Sequence, residues 1–105
     1  MAVTAKVLAR TAASVTTSTT LYTVPTTSTT TVVTNIVVTN TAASAGTFTL
    51  AIDGIALHTT TAIAANTTVY IDCKQVIPAN ATPKTITGGA SATTINLHIS
   101  GVEIV

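Results

Sequence analysis

Hydrophobic and polar residues alternate with a period of two along most of this chain. The clearest stretch is TFTLAIDGIALH, in which Phe48, Leu50 and Ile52 alternate with Thr or Ala before Asp53 and Gly54. A period of two places successive side chains on opposite faces of a β-strand. An Asp-Gly pair between two such runs predicts a type I′ hairpin, because both central positions of that turn need a positive φ.

Other parts of the chain show the same alternation. In TTVYIDCK, the residues Val69, Ile71 and Cys73 share one face, and in ATTINLHIS every second residue from Thr93 is predicted to face inward. VTAKVLAR and LYTVP fit short strands, and Pro25 stops the second of them. TVVTNIVVTN is apolar on both faces, which is typical of a central strand covered on each side.

Residues that favour turns separate these strands. The turns are predicted at residues 42–46, 64–66 and 78–83 and at Gly88 and Gly89. Gly101 interrupts the last apolar run, as a bulge or turn would. About eight short strands at such spacings predict an all-β fold, an antiparallel β-sandwich of jelly-roll or Ig-like type. We expect a single domain over residues 1–105, in which residues 1–20 form an N-terminal arm or the first strand.

Composition strengthens the β prediction. Thr makes up about a quarter of the residues, and Thr, Val and Ile together approach half of them. These β-branched residues fit a pleated strand surface better than a helix. A Thr-rich segment such as residues 15–41 could also form a disordered, mucin-like stalk. Val and Ile interleave with Thr there and Pro is scarce, which favours strands.

The charge content is low, which narrows the choice of partners. Charged residues are 7% of the chain, against a typical value of about 25%, and the formal net charge is +1. The cations Lys6, Arg10, Lys74 and Lys84 are scattered, so we do not expect nucleic acid to be a partner. No apolar run is long enough to span a membrane, and the N-terminal residues do not match a secretory signal.

Few residues are suited to catalysis. The acid–base candidates are Asp53, Asp72, Glu103, His58, His98 and Cys73. Because they show no motif, we expect no enzyme activity, no metal and no other cofactor. His58 and His98 could bind a metal together with a carboxylate only if they met across strands. His98 could also cluster around a symmetry axis of an oligomer. Cys73 alternates with apolar residues, which favours a buried, inert thiol.

The abundance of Thr suggests a surface that other molecules cover. Thr has replaced Lys and Glu on the predicted outer faces, and Thr loses little rotamer entropy when it is immobilised. Interface cores are depleted in charged residues, and monomeric sheets protect their edges with lysines that are few here. We therefore expect self-association or inclusion in a larger assembly. An ice-binding face is an alternative, but it would need a flat, repetitive solenoid, and the Thr runs have no common period.

The strings LYTVP, TTVVTNIVVTNT, TFTLAIDG, IAANTTVYID and ATTINLHISGVEIV, in that order, resemble short structural proteins of tailed bacteriophages. The resemblance extends from about residue 21 to residue 105. It implies a small β-sandwich present in many copies on the virion, as a capsid cement or decoration protein or as a neck or tail accessory. It implies no catalytic residues.

The resemblance implies a virion structural protein that is made in the host cytoplasm and placed on the capsid surface. It would form homotrimers that bridge neighbouring subunits of the major capsid protein. The alternative is a neck or tail accessory, such as a collar, fibre or adhesion protein that recognises another fibre or a host glycan. Lys6 and Arg10 are candidates for contacts with an acidic capsid surface, and LYTVP is a candidate apolar anchor. The predicted interface residues are Lys6, Arg10, Leu21, Tyr22, Val24 and Pro25.

Overall fold

The computed structural model describes residues 2–26 and 29–105, and these contain nine strands and no helix. The alternating segments of the sequence account for most of them. The strands are β1 (Val3–Ala12), β2 (Thr20–Thr23), β3 (Thr30–Asn40), β4 (Gly46–Ile52), β5 (Ile55–Ile63), β6 (Thr67–Ile71), β7 (Gln75–Ile77), β8 (Thr85–Ala90) and β9 (Ile95–Ile104). Residues 1–20 thus contribute the first strand, and the Thr-rich segment contributes β2 and β3.

The strands form two antiparallel sheets that pack face to face. Sheet A has the order β1-β9-β3-β6, with β7 also paired to β3, and sheet B has the order β2-β8-β4-β5. If β6 and β7 count as one interrupted strand, these are the two four-stranded sheets of an eight-stranded jelly roll. The predicted β-sandwich is therefore confirmed, and the strand order selects the jelly roll over the Ig-like arrangement. This strand order also excludes the solenoid fold that the ice-binding alternative required.

One strand position was not predicted. The strand expected over TTVYIDCK ends at Ile71, and the chain returns to β3 as β7, which pairs with residues 31–33. Between the two pairings, residues 72–74 lie opposite only Thr34 and Asn35 of β3. The extra residue interrupts the ladder as a β-bulge does. Cys73, in this interruption, is half-buried and packs against the core.

The expectation for TVVTNIVVTN was only half correct. β3 does lie between β9 and the β6–β7 edge, and its inward residues Val33, Ile36 and Val38 are buried. Its other face is not covered, because Val32 and Val37 remain partly exposed. The sheet is thus a two-layer structure with an apolar outer face.

Gly101 does not interrupt the last strand, so that prediction was wrong. β9 runs through it from Ile95 to Ile104, and the neighbouring strands bulge instead, at Leu8 in β1 and at Thr34 in β3. A Cβ atom on Gly101 would lie 2.3 Å from the carbonyl oxygen of Val32. Glycine is needed here for the close approach of backbone, not for a turn.

The turn predicted at Gly88 and Gly89 was also wrong. Both residues are buried inside β8. A Cβ atom on Gly89 would lie 2.5 Å from the carbonyl oxygen of Ser14 and 2.7 Å from that of Thr16. The chain between β1 and β2 therefore lies directly against β8, and only glycine leaves room for it.

The predicted Asp-Gly hairpin is confirmed between β4 and β5. Asp53 has a φ of 56° and Gly54 a φ of 74°, and Ile52 pairs with Ile55 across the turn. The Asp53 carboxylate also lies 3.1 Å from the ammonium of Lys84, the residue before β8. This ion pair links the hairpin to the start of β8.

One contiguous core fills the space between the sheets. Phe48 and Leu50 of sheet B pack there with Ile95, Leu97 and Ile99 of sheet A, as the period-two pattern predicted. Thr93, which was also predicted to face inward, is exposed in the turn before β9. At one end of the sandwich the buried Asn40 braces two loops. Its amide nitrogen donates to the carbonyl oxygens of Ser44 (2.9 Å) and Ala64 (3.3 Å), and its oxygen accepts from the Ala42 backbone N–H.

Candidate partner-binding surfaces

The six predicted interface residues lie on β1, on β2 and just after β2. Lys6, Arg10 and Pro25 are exposed, and Leu21 is half-buried. Tyr22 is 9% exposed and Val24 is 1% exposed. The LYTVP segment therefore directs much of its apolar surface into the protein's own core, and Val24 has no side-chain surface left for a partner.

Tyr22 instead joins a polar network between the two sheets. Its hydroxyl donates to the Glu103 carboxylate of β9 and accepts from the Thr31 hydroxyl of β3 at 2.9 Å. The Lys6 ammonium lies 3.1 Å from the same carboxylate and 5.9 Å from the centre of the Tyr22 ring. Thr31 and Glu103 are register partners, so the network joins three strands of sheet A to β2 of sheet B.

This network shifts the protonation of its members. Burial, followed by the hydrogen bond to Glu103, raises the pKa of Tyr22 to about 12. The hydrogen bond from Tyr22 lowers the pKa of the Glu103 carboxyl, burial opposes this, and Lys6 lowers it further. The phenol of Tyr22 thus stays neutral and donates a hydrogen bond to the ionised Glu103 carboxylate. This hydrogen bond links the two sheets. Sequence reasoning missed it, because the four residues are separated by up to 97 positions.

A cleft lies between the neighbouring edges of β1 and β2. Its volume is about 340 Å³, and four of its eight lining residues carry a side-chain hydroxyl. The lining residues with polar side chains are Arg10, Thr11, Ser14, Thr19 and Thr20. Within residues 2–26 and 29–105, Arg10 forms no ion pair or side-chain hydrogen bond. Arg10 and Leu21, two of the predicted interface residues, are thus brought together at this cleft.

The outer face of sheet A is largely apolar at the end where β9 finishes. Strand register places Val102 beside Val32 of β3, which in turn pairs with Val76 of β7. Val76 is 65% exposed and Val3 is 61% exposed. We call the surface formed by Val3, Val7, Val32, Val76, Val102 and Ile104 the valine face.

A mixed row crosses the same sheet next to the valine face. Arg10 of β1 pairs with His98 of β9, His98 with Val37 of β3, and Val37 with Tyr70 of β6. Tyr70 is 74% exposed. This row places an exposed cation at one edge of the sheet and an exposed aromatic ring at the other.

The outer face of sheet B has a different composition. In sheet B the buried residues Phe48, Leu50 and Ile86 face the core. The residues that alternate with them in β4 and β8 therefore face outward. We call the surface formed by Thr20, Thr23, Thr47, Thr49, Thr85 and Thr87 the threonine face. Ala51 and Ala56 lie among these threonines. The Thr-coated surface expected from the sequence is therefore found on this sheet.

The residues considered for catalysis or metal binding are dispersed. His58 packs against Phe48 in sheet B, with ring centres 5.4 Å apart, whereas His98 lies on the outer side of sheet A. Burial, with a smaller contribution from the Asp72 carboxylate, raises the pKa of the Cys73 thiol. Among the residues that the structure describes, no three His, Cys, Asp or Glu side chains are grouped as a metal site would require.

Comparison of this chain with protein-family models, with curated proteins and with solved structures gave no match. In the described part of the chain, no helix is long and apolar enough to cross a membrane.

Proposed function

We propose that this chain is a structural protein of a virion, a cement or decoration protein that binds the major capsid lattice as a homo-oligomer. The observation that carries the proposal is the valine face, an exposed apolar sheet surface on a protein with few charges. Monomeric soluble proteins seldom expose a contiguous apolar patch of this kind unless it binds something. The order of the resembling segments supplies the virion context.

The jelly-roll topology is compatible with this role but does not select it. The fold occurs in viral capsid proteins and also in lectins and cupins, so its function depends on the surfaces that each protein carries. Here those surfaces are the valine face, the threonine face and the cleft between β1 and β2. The proposal assigns the chain no catalytic step and no cofactor.

Attachment to the capsid is proposed to use the β1–β2 edge. Lys6 is engaged by Glu103, whereas the Arg10 guanidinium has no partner within the described residues, so of these two cations Arg10 is the one open to a second molecule. Each such contact is modest. Repetition at symmetry-related sites multiplies the strength of attachment, because an oligomer engages several capsid subunits at once.

The test is a density map of particles assembled from the genome that encodes this chain, together with mass spectrometry of their proteins. We expect the jelly roll at symmetry-related positions on the capsid surface. Particles that lack the chain, or that carry it inside the head, would refute the proposal. The trimer expected from the sequence remains a prediction, and the same map distinguishes it from a dimer.

A neck or tail accessory that binds a host glycan is the second candidate. The cleft between β1 and β2 favours it, because its volume of about 340 Å³ is in the range of small-ligand sites and four of its eight lining residues carry a hydroxyl that could bind a sugar. A glycan-array screen separates the two proposals, since a cement protein is expected to bind no glycan.

A further inference from the structure

We propose that two copies of this chain pair through the outer face of sheet A, about a two-fold axis that runs parallel to the strands. The inference rests on the proposed function, because it names the surface through which the structural protein associates with itself. The pairing buries the valine face of each copy against the other copy.

The position of the axis follows from the strand order. Sheet A has four strand positions, so an axis at its centre passes between β9 and β3. Rotation about that axis places β9 of one copy over β3 of the other, and β1 over the β6–β7 edge. Residues of one row then face residues of the same row. Val102 consequently faces Val32 of the partner subunit, and apolar surface meets apolar surface.

The mixed row becomes complementary under the same rotation. Arg10 lies at the β1 end of that row and Tyr70 at the β6 end, so Arg10 of each copy faces Tyr70 of the partner subunit. A guanidinium over an aromatic face gains a cation–π interaction. An axis perpendicular to the strands would instead place β1 over β1 and bring Arg10 against the apolar rows.

The size of the face is adequate for a stable pair. Four strand positions at about 4.8 Å and ten residues at about 3.3 Å give a flat area of roughly 600 Å². A standard interface buries about 800 Å² of accessible surface on each partner, and a corrugated sheet exposes more than its flat projection. Two sheets that pack face to face with aligned strands are a common arrangement.

The first test compares the oligomeric state of matched lysine variants by sedimentation equilibrium. We expect the wild-type protein to be a dimer at about 10 μM, which corresponds to a modest interface. Tyr70→Lys places a cation opposite Arg10 of the partner subunit, and we expect dimer affinity to fall by about tenfold or more. Thr87→Lys, on the threonine face, is the control and should leave the affinity unchanged.

The second test is rescue by charge exchange. Arg10→Glu added to Tyr70→Lys would restore attraction between the two positions across the interface, and we expect most of the lost affinity to return. Within one molecule the β1 and β6 positions are three strand spacings apart, about 14 Å, so the rescue cannot arise inside a monomer. Circular dichroism of each variant establishes that it is folded.

A wild-type protein that stays monomeric at about 100 μM, a trimer, or a double variant without rescue would overturn the pairing. These outcomes are separate from those of the particle map. A monomer found on the capsid would refute the pairing and leave the proposed function standing, whereas a dimer absent from the particle would do the reverse.

Discussion

The outer faces of the two sheets differ in composition and in whether another part of the chain covers them. On sheet B the threonine face is polar without charge, and residues 14–17 of the same chain cover Gly89 within it. On sheet A the valine face is apolar and no part of the described chain lies over it. A substitution on the first face should therefore alter the stability of the monomer where the chain covers it. A substitution on the second should alter association.

The largest expected effect is at Gly89. A Cβ atom there would overlap backbone carbonyl oxygens of Ser14 and Thr16, and neither can move without displacing the segment. We expect Gly89→Ala to lower the free energy of unfolding by about 3 kcal/mol. Urea denaturation measures this. Gly54→Ala is the control: its φ of 74° is costly for alanine but nothing lies within 4 Å, so about 1 kcal/mol is expected.

The hydrogen bond from Tyr22 to Glu103, which links the two sheets, predicts a loss of stability at alkaline pH. Tyr22 has a pKa raised to about 12, so the folded state holds its proton more tightly than the unfolded state does. Its stabilisation is complete below the ordinary pKa of 10 and is lost as the pH rises from 10 to 12, amounting to about 2 to 3 kcal/mol. Denaturation of the wild type and Tyr22→Phe across this range should show the decline only in the wild type. Equal slopes would contradict the role given to the phenol.

At acidic pH the stability depends on Glu103, and there it falls as the pH falls. Its pKa is lowered from 4.5 in the folded state, so its contribution is present above that pH and is lost as the pH falls further. Glu103→Gln should remove this acid dependence while weakening the protein at neutral pH, because the Lys6 ammonium loses its ion pair. Denaturant midpoints at pH 3 and pH 7 compare the two proteins, with Asp72→Asn, an exposed carboxylate, as the control.

The smallest expected effect on the monomer, and the sharpest contrast between the faces, comes from a Val–Thr exchange. Val102→Thr on the valine face should change monomer stability by less than about 1 kcal/mol and weaken self-association by about fivefold, since apolar area is lost from the contact. Thr87→Val on the threonine face should leave association unchanged. Dilution series by light scattering measure both. An equal effect of the two exchanges would remove the distinction between the faces.

Local patterns predicted the elements whose determinants are local. The Asp53–Gly54 hairpin depends on two adjacent residues, and the strands depend on a period of two, so both were found from the sequence. β7 was missed because three residues are too short to show a period. The glycines at 88, 89 and 101 were mistaken for turn or break signals, because glycine serves both turns and close packing, and only neighbours distant in sequence distinguish the two uses.

The candidate surfaces were partly predictable. Arg10 was named from the sequence and is exposed without a partner in the described residues, whereas Tyr22 and Val24 were named and prove to be buried. The alternating strings VTAKV and VEIV supply several residues of the valine face. Alternation alone, however, does not show which of the two faces of a strand packs against the second sheet. The network of Lys6, Tyr22 and Glu103 has no local signal at all.

The sequence by itself determined that this protein is built of antiparallel strands with hydroxyl-bearing and apolar faces, because strand geometry converts a two-residue repeat directly into two sides. Only the tertiary structure decided which apolar side became the core and which remained open. That choice depends on strand order and register, which bring β1, β9, β3 and the β6–β7 edge into one sheet and leave the valine face on its outer side. Register is a property of the folded chain as a whole, since each pairing joins segments far apart in sequence.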